Sequence, residues 1–258
     1  MKKPNVIGLI PAAGTAKRIS PLPGSKELFP IGFREVELDG HVQIRPKVIS
    51  QYLIDNMFTA GASKVWMVLG RGKWDIMQYY GEGDEYGGPI AYLMMNRSWG
   101  MPYTLDQAYP WLNHEVVLFG MPDTIFTPRD AFAQMLKQHF LSKADVTLGV
   151  FPTDRPEKLC PVDMNAEGEV TWMVDKPEHS EIKNTWGCAC WSQSFTELMH
   201  AYLLVQTPPT REIVLADVFR EAILKGLKVH SLFFQTGEYI DIGTPDDLVD
   251  AVHRFNDR

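Results

Sequence analysis

Residues 8–30 read GLIPAAGTAKRISPLPGSKELFP. An apolar run ends here in a string of small residues, and the next cations follow at Lys17, Arg18 and Lys26 among prolines and glycines that fix the path of the loop. A strand that opens into PAAGTA presents backbone N–H groups with little side-chain bulk, which is what close approach of a nucleoside and its phosphates requires. From the loop alone, a tight strand-to-helix turn without a ligand reads equally well. One glycine is neither the G-x-G-x-x-G of a dinucleotide fold nor the G-x-x-x-x-G-K-[ST] of a P-loop. Arg18 and Lys26 tilt the reading towards an anion site.

Outward from this stretch, short β-branched runs alternate with longer helical ones. The pattern predicts strands over Val6–Ile10, Lys64–Leu69, Ile90–Met95, Val116–Phe119 and Asp145–Phe151, and helices over Lys47–Ala60, Gly72–Tyr80, Thr104–Leu112 and Pro128–Phe140. Alternation of this kind means crossover units, hence an α/β chain with a mostly parallel sheet flanked by helices. After Phe151 the texture changes: VDMNAEGEVTWMVDKP predicts two strands, Val162–Asn165 and Val170–Val174, joined by a turn at Glu167 and Gly168. Helices over Ser194–Val205 and Leu215–Gly226 precede a strand at Lys228–Phe234, an end strand at Tyr239–Ile240 and a last helix from Pro245. FREVELDGHVQIR reads as a hairpin around Asp39 and Gly40. No repeat or Pro-rich linker divides residues 1–258, so the expectation is one α/β domain with a β-rich excursion.

The chain has 258 residues, of which 45% are hydrophobic and 22% charged, enough to bury a full core. Its formal net charge of −7 and the lack of any lysine or arginine run argue against a nucleic-acid partner. The apolar run near the start is too short for a membrane span or a signal peptide, so no membrane partner is expected. Three cysteines, Cys160, Cys188 and Cys190, fit a reducing compartment better than a disulfide framework, and the cytoplasm is the expected location. The C-x-C pair places both sulfurs on one face of a strand, as small buried residues rather than metal ligands. The histidines make no H-x-x-x-H pair.

PAAGTAKRISPLPGSKELFP resembles the signature of the sugar-1-phosphate nucleotidyltransferases, whose usual form is L-A-G-G-x-G-T-R-L-x-P followed by K-x-[LM]-x-P. The resemblance extends along nearly the whole chain. VISQYLIDNMFTAGASKVWMVLG is similar to that family's helix and second strand, YYGEGDEYGGPIAYL to its G-D-G-x-x-x-G turn and third strand, and FGMPDTIF to its acidic strand end. WMVDKP is similar to V-E-K-P, REIVLADVF to E-I-T-D, and YIDIGTPDDLVDA to W-L-D-T-G-T-P-x-x-L-x-x-A. The implied fold is a Rossmann-like sheet, with residues 1–151 as a nucleotide-binding half and residues 152–258 as a sugar-phosphate-binding half.

The implied activity is transfer of a nucleotidyl group from a nucleoside triphosphate, dTTP or UTP favoured, to a sugar 1-phosphate, with release of pyrophosphate. By the same resemblance Asp123 and Asp241 hold Mg²⁺, Arg18 lies against the triphosphate tail, Lys26 neutralises the transferring phosphate and Lys176 contacts the sugar phosphate. Pro11, Ala12, Ala13 and Gly14 would line the nucleotide's path. Gly100, Thr104 and Leu105 would meet the base, and Asp175, Gly187 and Glu212 would complete the substrate contacts. Relatives often form homo-oligomers, and the resemblance allows one here without marking an interface.

Three departures stand out. Ala16 replaces the second glycine of the signature, Lys17 replaces its threonine, and Cys160 stands where a glycine commonly approaches the sugar. They keep two alternatives open: a cytidylyl- or guanylyltransferase acting on a phosphonate or unusual sugar phosphate, and a catalytically degenerate nucleotide-binding protein.

Overall fold

The computed structural model describes residues 4–206 and 208–256. The chain begins with β1 (Val6–Ala12), the hairpin β2 (Pro30–Leu38) and β3 (His41–Val48), α1 (Ile49–Thr59), β4 (Val65–Gly70), α2 (Trp74–Tyr80) and β5 (Ile90–Met95). It continues through α3 (Met101–Asp106), β6 (Val116–Gly120), β7 (Thr124–Phe126), α4 (Ala131–Ser142) and β8 (Val146–Pro152). The remainder comprises β9 (Val162–Met164), β10 (Val170–Met173), β11 (Asn184–Trp191), α5 (Gln193–Val205), α6 (Leu215–Leu224), β12 (Val229–Phe233), β13 (Tyr239–Asp241) and α7 (Pro245–Asn256).

Seven strands form the central sheet in the order β12-β8-β11-β6-β1-β4-β5. All neighbours run parallel except β11, which is antiparallel to both β6 and β8. The mostly parallel α/β sheet expected from the sequence is therefore present, and it takes strands from both ends of the chain. β1 is a nearly unbroken buried run because helices cover both faces of the sheet, the pattern of a central parallel strand. One face packs Trp191, Phe195 and Phe219 and the other Met57, Phe132 and Phe151. Each such side chain contributes roughly 2 kcal/mol of burial. Among the described residues no helix is long and apolar enough to cross a membrane.

The predicted strands β1, β4, β5, β6 and β8 and the β9–β10 pair all form. The hairpin turns at Asp39 (φ 52°) and Gly40 (φ 75°), a two-residue turn that needs left-handed backbone at both positions. Two expectations shift. The helix expected from Lys47 starts at Ile49, because Val48 is still paired to Pro30 in the hairpin. The helix expected over Thr104–Leu112 is α3 at Met101–Asp106 followed by a single tight turn at Tyr109–Trp111. Pro102 starts the helix early, where a missing N–H costs nothing, and Pro110 prevents its continuation. β7, only three residues long, has no sequence signal.

From β1 the chain passes to β4 and β5 on one side, then crosses back to β6 on the other. Strand order thus reverses at β1, and the carboxyl ends of β1, β4, β5 and β6 open onto one edge of the sheet. In open α/β sheets this is where ligands bind.

Candidate active site

The loop leaving β1 turns at Ala16, whose φ of 52° lies in the left-handed region. Its carbonyl accepts the Ile19 and Ser20 N–H groups at 3.1 Å each and the Ser20 hydroxyl at 2.9 Å, which closes the turn and sends Arg18 across to β13. There an Arg18 Nη2 lies 2.9 Å from where a Cβ on Gly243 would stand, so the glycine leaves the guanidinium free to lie beside Asp241 without shifting.

Two carboxylates meet because of a strand register. β7 and β13 pair antiparallel with Asp241 opposite Thr124, so Asp123, just before β7, and Asp241, at the end of β13, come out at the same end of the ribbon. The Ile242 N–H donates to the Asp123 carbonyl at 3.2 Å and continues the pairing. The Asp241 Oδ1 accepts the Gly243 N–H at 2.7 Å. Burial and then the neighbouring Asp123 charge raise the Asp241 carboxyl to about 6, against the Gly243 N–H, Lys26 and Arg18. Asp123 carries the counter-charge of Lys26, whose Nζ donates to its Oδ2. Burial alone would lower the Lys26 ammonium's pKa, but Asp123 outweighs it and holds the lysine above its ordinary value. Downstream, Thr244 caps α7: its hydroxyl accepts the Asp247 N–H at 3.3 Å and donates to the Asp247 carboxylate at 2.6 Å.

The loop after β1 contributes to two cavities, Lys17 to one and Arg18 to the other. One of about 840 Å³ is lined by Ala13, Gly14, Asn96, Trp99, Gly100 and Glu212. The other, about 1070 Å³, is lined by Arg18, Tyr239 and Asp241 together with Lys158, Lys176 and Lys183. Lys176 has a left-handed φ of 48° and is held there by its N–H, which donates to the Leu159 carbonyl at 2.7 Å. Arg155 and Asp247 form an ion pair at 3.0 Å in the lining of the same cavity. Asp175 beside Lys176 is half-buried. Burial raises its carboxyl pKa, Lys176 opposes this, and Asp217 and Glu212 add to it.

The fold thus brings Arg18, Lys26, Asp123 and Asp241 together, places Lys176 in the lining of the larger cavity with Arg18 and Asp241, and sets Ala13, Gly14, Gly100 and Glu212 around the first cavity. Other expected contacts lie elsewhere. Thr104 is 2% exposed and Leu105 0%; the early start of α3 turns both inward, and the Thr104 hydroxyl shares a hydrogen bond with that of Ser98 at 3.0 Å. Ser98, Trp99 and Gly100 form the wall instead. A Cβ on Gly187 would stand 2.4 Å from the Tyr239 ring, so the close approach there is made by this side chain. Ala12 is wholly in the core, and Pro11 is partly buried in β1. Cys160 is buried too, its thiol pushed up to about 12 by burial, and Leu159 rather than Cys160 reaches the cavity. Lys158 and Lys183 escaped the sequence reading because isolated lysines look like any solvated surface charge.

Residues 7–258 match the family model described as nucleotidyl transferase, and the chain belongs to that family. It is an enzyme of the nucleotidyltransferase class. Among curated relatives, it is 28% identical to the UTP--glucose-1-phosphate uridylyltransferase AglF of Haloferax volcanii over 95% of both chains. It is 19% identical to the low-salt glycan biosynthesis nucleotidyltransferase Agl11 of the same organism, over 95% of this chain but 64% of that protein's length. Two solved structures share the fold. A Bacillus anthracis protein assigned as a glucose-1-phosphate thymidylyltransferase, in complex with sucrose, superposes with a TM-score of 0.82 at 16% identity, covering 98% of this chain and 96% of that one. A UDP-glucose pyrophosphorylase in complex with UDP-glucose gives 0.79 at 17% identity, covering 99% of each.

Proposed function

We propose that the protein transfers a nucleotidyl group from a nucleoside triphosphate, UTP or dTTP, to a sugar 1-phosphate and releases pyrophosphate. The observation that carries this reading is the β7–β13 register, which brings Asp123 and Asp241 together with Lys26 and Arg18, and Arg18 and Asp241 line a cavity of about 1070 Å³. The 28% identity to AglF along both chains supports the choice of UTP and a sugar 1-phosphate.

The chemistry suits this set of residues. The acceptor phosphate, with a second pKa of about 6, is already largely ionised at neutral pH, so its oxygen attacks the α-phosphorus without a general base. A bond forms from that oxygen to the α-phosphorus, the bond to the bridging oxygen of the β-phosphate breaks, and pyrophosphate leaves. Positioning and charge neutralisation remain for the protein to supply. In this reading Arg18 pairs its planar fork with the departing phosphates, Lys26 offsets charge at the reacting centre, and Lys176 holds the acceptor phosphate. Residues 1–151 serve the nucleotide and residues 152–258 the acceptor. Ala13, Gly14 and Gly100 face the nucleotide, Glu212 reaches the same cavity from the second half, and Asp175, beside Lys176, is on the sugar side.

Asp123 and Asp241 fit a Mg²⁺ ion. Burial first, and then the Asp123 charge, disfavours the ionised Asp241 carboxylate, and a divalent cation held by the two would favour it. No cluster of three or more potential ligand side chains is found among the described residues, so phosphate oxygens and water would complete the shell, as this ion prefers. When bound, Mg²⁺ neutralises charge on the phosphates. A cytoplasmic setting is proposed with this activity, since all three buried cysteines are free thiols.

The test is pyrophosphate release with Mg²⁺ over a grid of nucleoside triphosphates and acceptors, including phosphonates and alcohol phosphates. Turnover with UTP or dTTP and a hexose 1-phosphate is the expected result. Turnover only with CTP or GTP, or only with a phosphonate, would replace this reading, and silence with every acceptor would overturn it.

A further inference from the structure

We propose that Lys73 and Asp75, at the start of α2, are positioning residues that hold Lys26 in place for nucleotidyl transfer. The inference rests on the functional reading above. Lys26 is flanked by Ser25 and Glu27, and each of these neighbours is pinned by a side chain from one three-residue stretch. Asp75 accepts the Ser25 N–H through one carboxylate oxygen and the Ser25 hydroxyl through the other, both at 2.7 Å. Lys73 pairs its ammonium with Glu27 Oε1. A third tie comes from α1, where the Ser50 hydroxyl donates to the Glu27 carbonyl at 2.6 Å.

Glu27 is the telling residue. It is 1% exposed, its second carboxylate oxygen is buried without a partner, and burial pushes its carboxyl pKa up while Lys73 opposes the shift. An apolar pair of similar size would serve stability at least as well, since buried ion pairs seldom outperform well-packed hydrophobic residues. What the ion pair adds is direction: a charged contact fixes where residue 27 sits, and so where the adjoining Lys26 starts its reach to Asp123. Partial burial would raise the Asp75 carboxyl's pKa, and the two Ser25 donors overcome it, so this pin is ionised at neutral pH. Both pins spring from the β4–α2 connection, whose Gly70 and Arg71 line the first cavity. The clamp therefore ties the Lys26 turn to the same strand end that shapes the nucleotide side.

Displacements of about 1 Å at a reacting centre cost on the order of a hundredfold in rate, so a loosened Lys26 should show in kcat before it shows in stability. The experiment is a double-mutant cycle between Lys26→Ala and two lesions of the clamp: Asp75→Ala, and the paired Glu27→Leu/Lys73→Met exchange that leaves no buried charge. Each lesion should lower kcat about tenfold or more with the KM for UTP within about threefold, and should lower it no further once Lys26 is alanine. An unchanged kcat, or an equal loss with and without Lys26, would make the clamp merely structural and overturn the inference. Should the unaltered enzyme turn over no acceptor, the functional reading falls, and the same cycle is read on UTP binding with Mg²⁺ by calorimetry. There, an affinity loss that vanishes without Lys26 supports the clamp, and an equal or absent loss overturns it.

Discussion

The two cavities beside the β1 loop are built from different materials. In the 840 Å³ cavity small residues, Ala13, Gly14, Gly70, Ser98 and Gly100, open the space near the ends of β1, β4 and β5, and Lys17, Arg71, Arg211 and Glu212 add charge to its lining. The 1070 Å³ cavity is lined by long charged side chains of both signs, among them Arg155, Glu157, Lys158, Lys176 and Lys183 on connections that follow β8 and β10. Both carry charge, but only the smaller one owes its opening to small residues at strand ends, and only the larger one is lined by several long charged side chains on loops. If the smaller cavity takes the nucleotide and the larger one the acceptor, as proposed, fit should matter more on the first side and phosphate charge more on the second, with Asp241 on the wall of the larger.

The sharpest way to break that picture is at the pair itself. Asp241→Asn removes one proposed metal ligand yet keeps an oxygen for the Gly243 N–H, so kcat should fall at least about a hundredfold while the fold survives. Stability should move the other way. The folded Asp241 carboxyl lies at about 6, above its ordinary 3.8, so its ionised form costs stability in full above about pH 7 and not at all below pH 4. Thermal unfolding of the two proteins should therefore differ in favour of the asparagine at pH 7.5 and converge as the pH approaches 4. A large stability loss in Asp241→Asn at neutral pH would argue for a structural carboxylate.

Gly100→Ala probes the shaped side. At φ 128° its Cβ would stand 2.2 Å from the Ile213 carbonyl oxygen, backbone against backbone, so neither partner can yield cheaply. A stability loss of about 3 kcal/mol is expected, with weaker UTP binding and an unchanged acceptor KM. Loss on the acceptor side instead would dissolve the distinction between the cavities.

Lys176→Met probes the charged side. Losing a charge-assisted contact to the acceptor phosphate should lower kcat/KM for the sugar 1-phosphate by about ten- to a hundredfold, leaving the KM for UTP within about twofold. Stability should be equal or slightly lower at neutral pH, since Lys176 favours the ionised Asp175 carboxylate and the left-handed backbone is unchanged. Initial-rate kinetics with each substrate varied in turn checks this.

The smallest effect belongs to Ala16→Gly. The left-handed φ of 52° costs an alanine about 1 kcal/mol that glycine avoids, offset in part by glycine's freedom when unfolded. Activity should stay within about threefold, and a large gain would mean that the methyl group obstructs the phosphates.

How far the sequence could be read follows the same divide. β1, β4, β6 and β8 were visible because strands buried on both faces appear as unbroken apolar runs, and β5, a partly buried edge strand, because its run Ile90–Met95 is apolar too. Arg18, Lys26, Asp123 and Asp241 were visible as charges placed at the ends of such runs. Thr104 and Leu105 were misplaced because Pro102 starts α3 three residues before the periodicity does. The Lys158 and Lys183 wall was invisible, since nothing local separates a converging lysine from a solvated one. The Ser25–Asp75 and Glu27–Lys73 contacts span 50 and 46 residues, and only the fold brings them together.

The most direct test of nucleotidyl transfer at the carboxylate pair uses UTP labelled at either the α- or the γ-phosphorus, incubated with Mg²⁺ and glucose 1-phosphate. The account predicts that α-label enters the sugar product, that γ-label leaves as pyrophosphate, and that Asp123→Asn/Asp241→Asn stops both. Label from the γ-position in the sugar product, or undiminished transfer in the double variant, would contradict it.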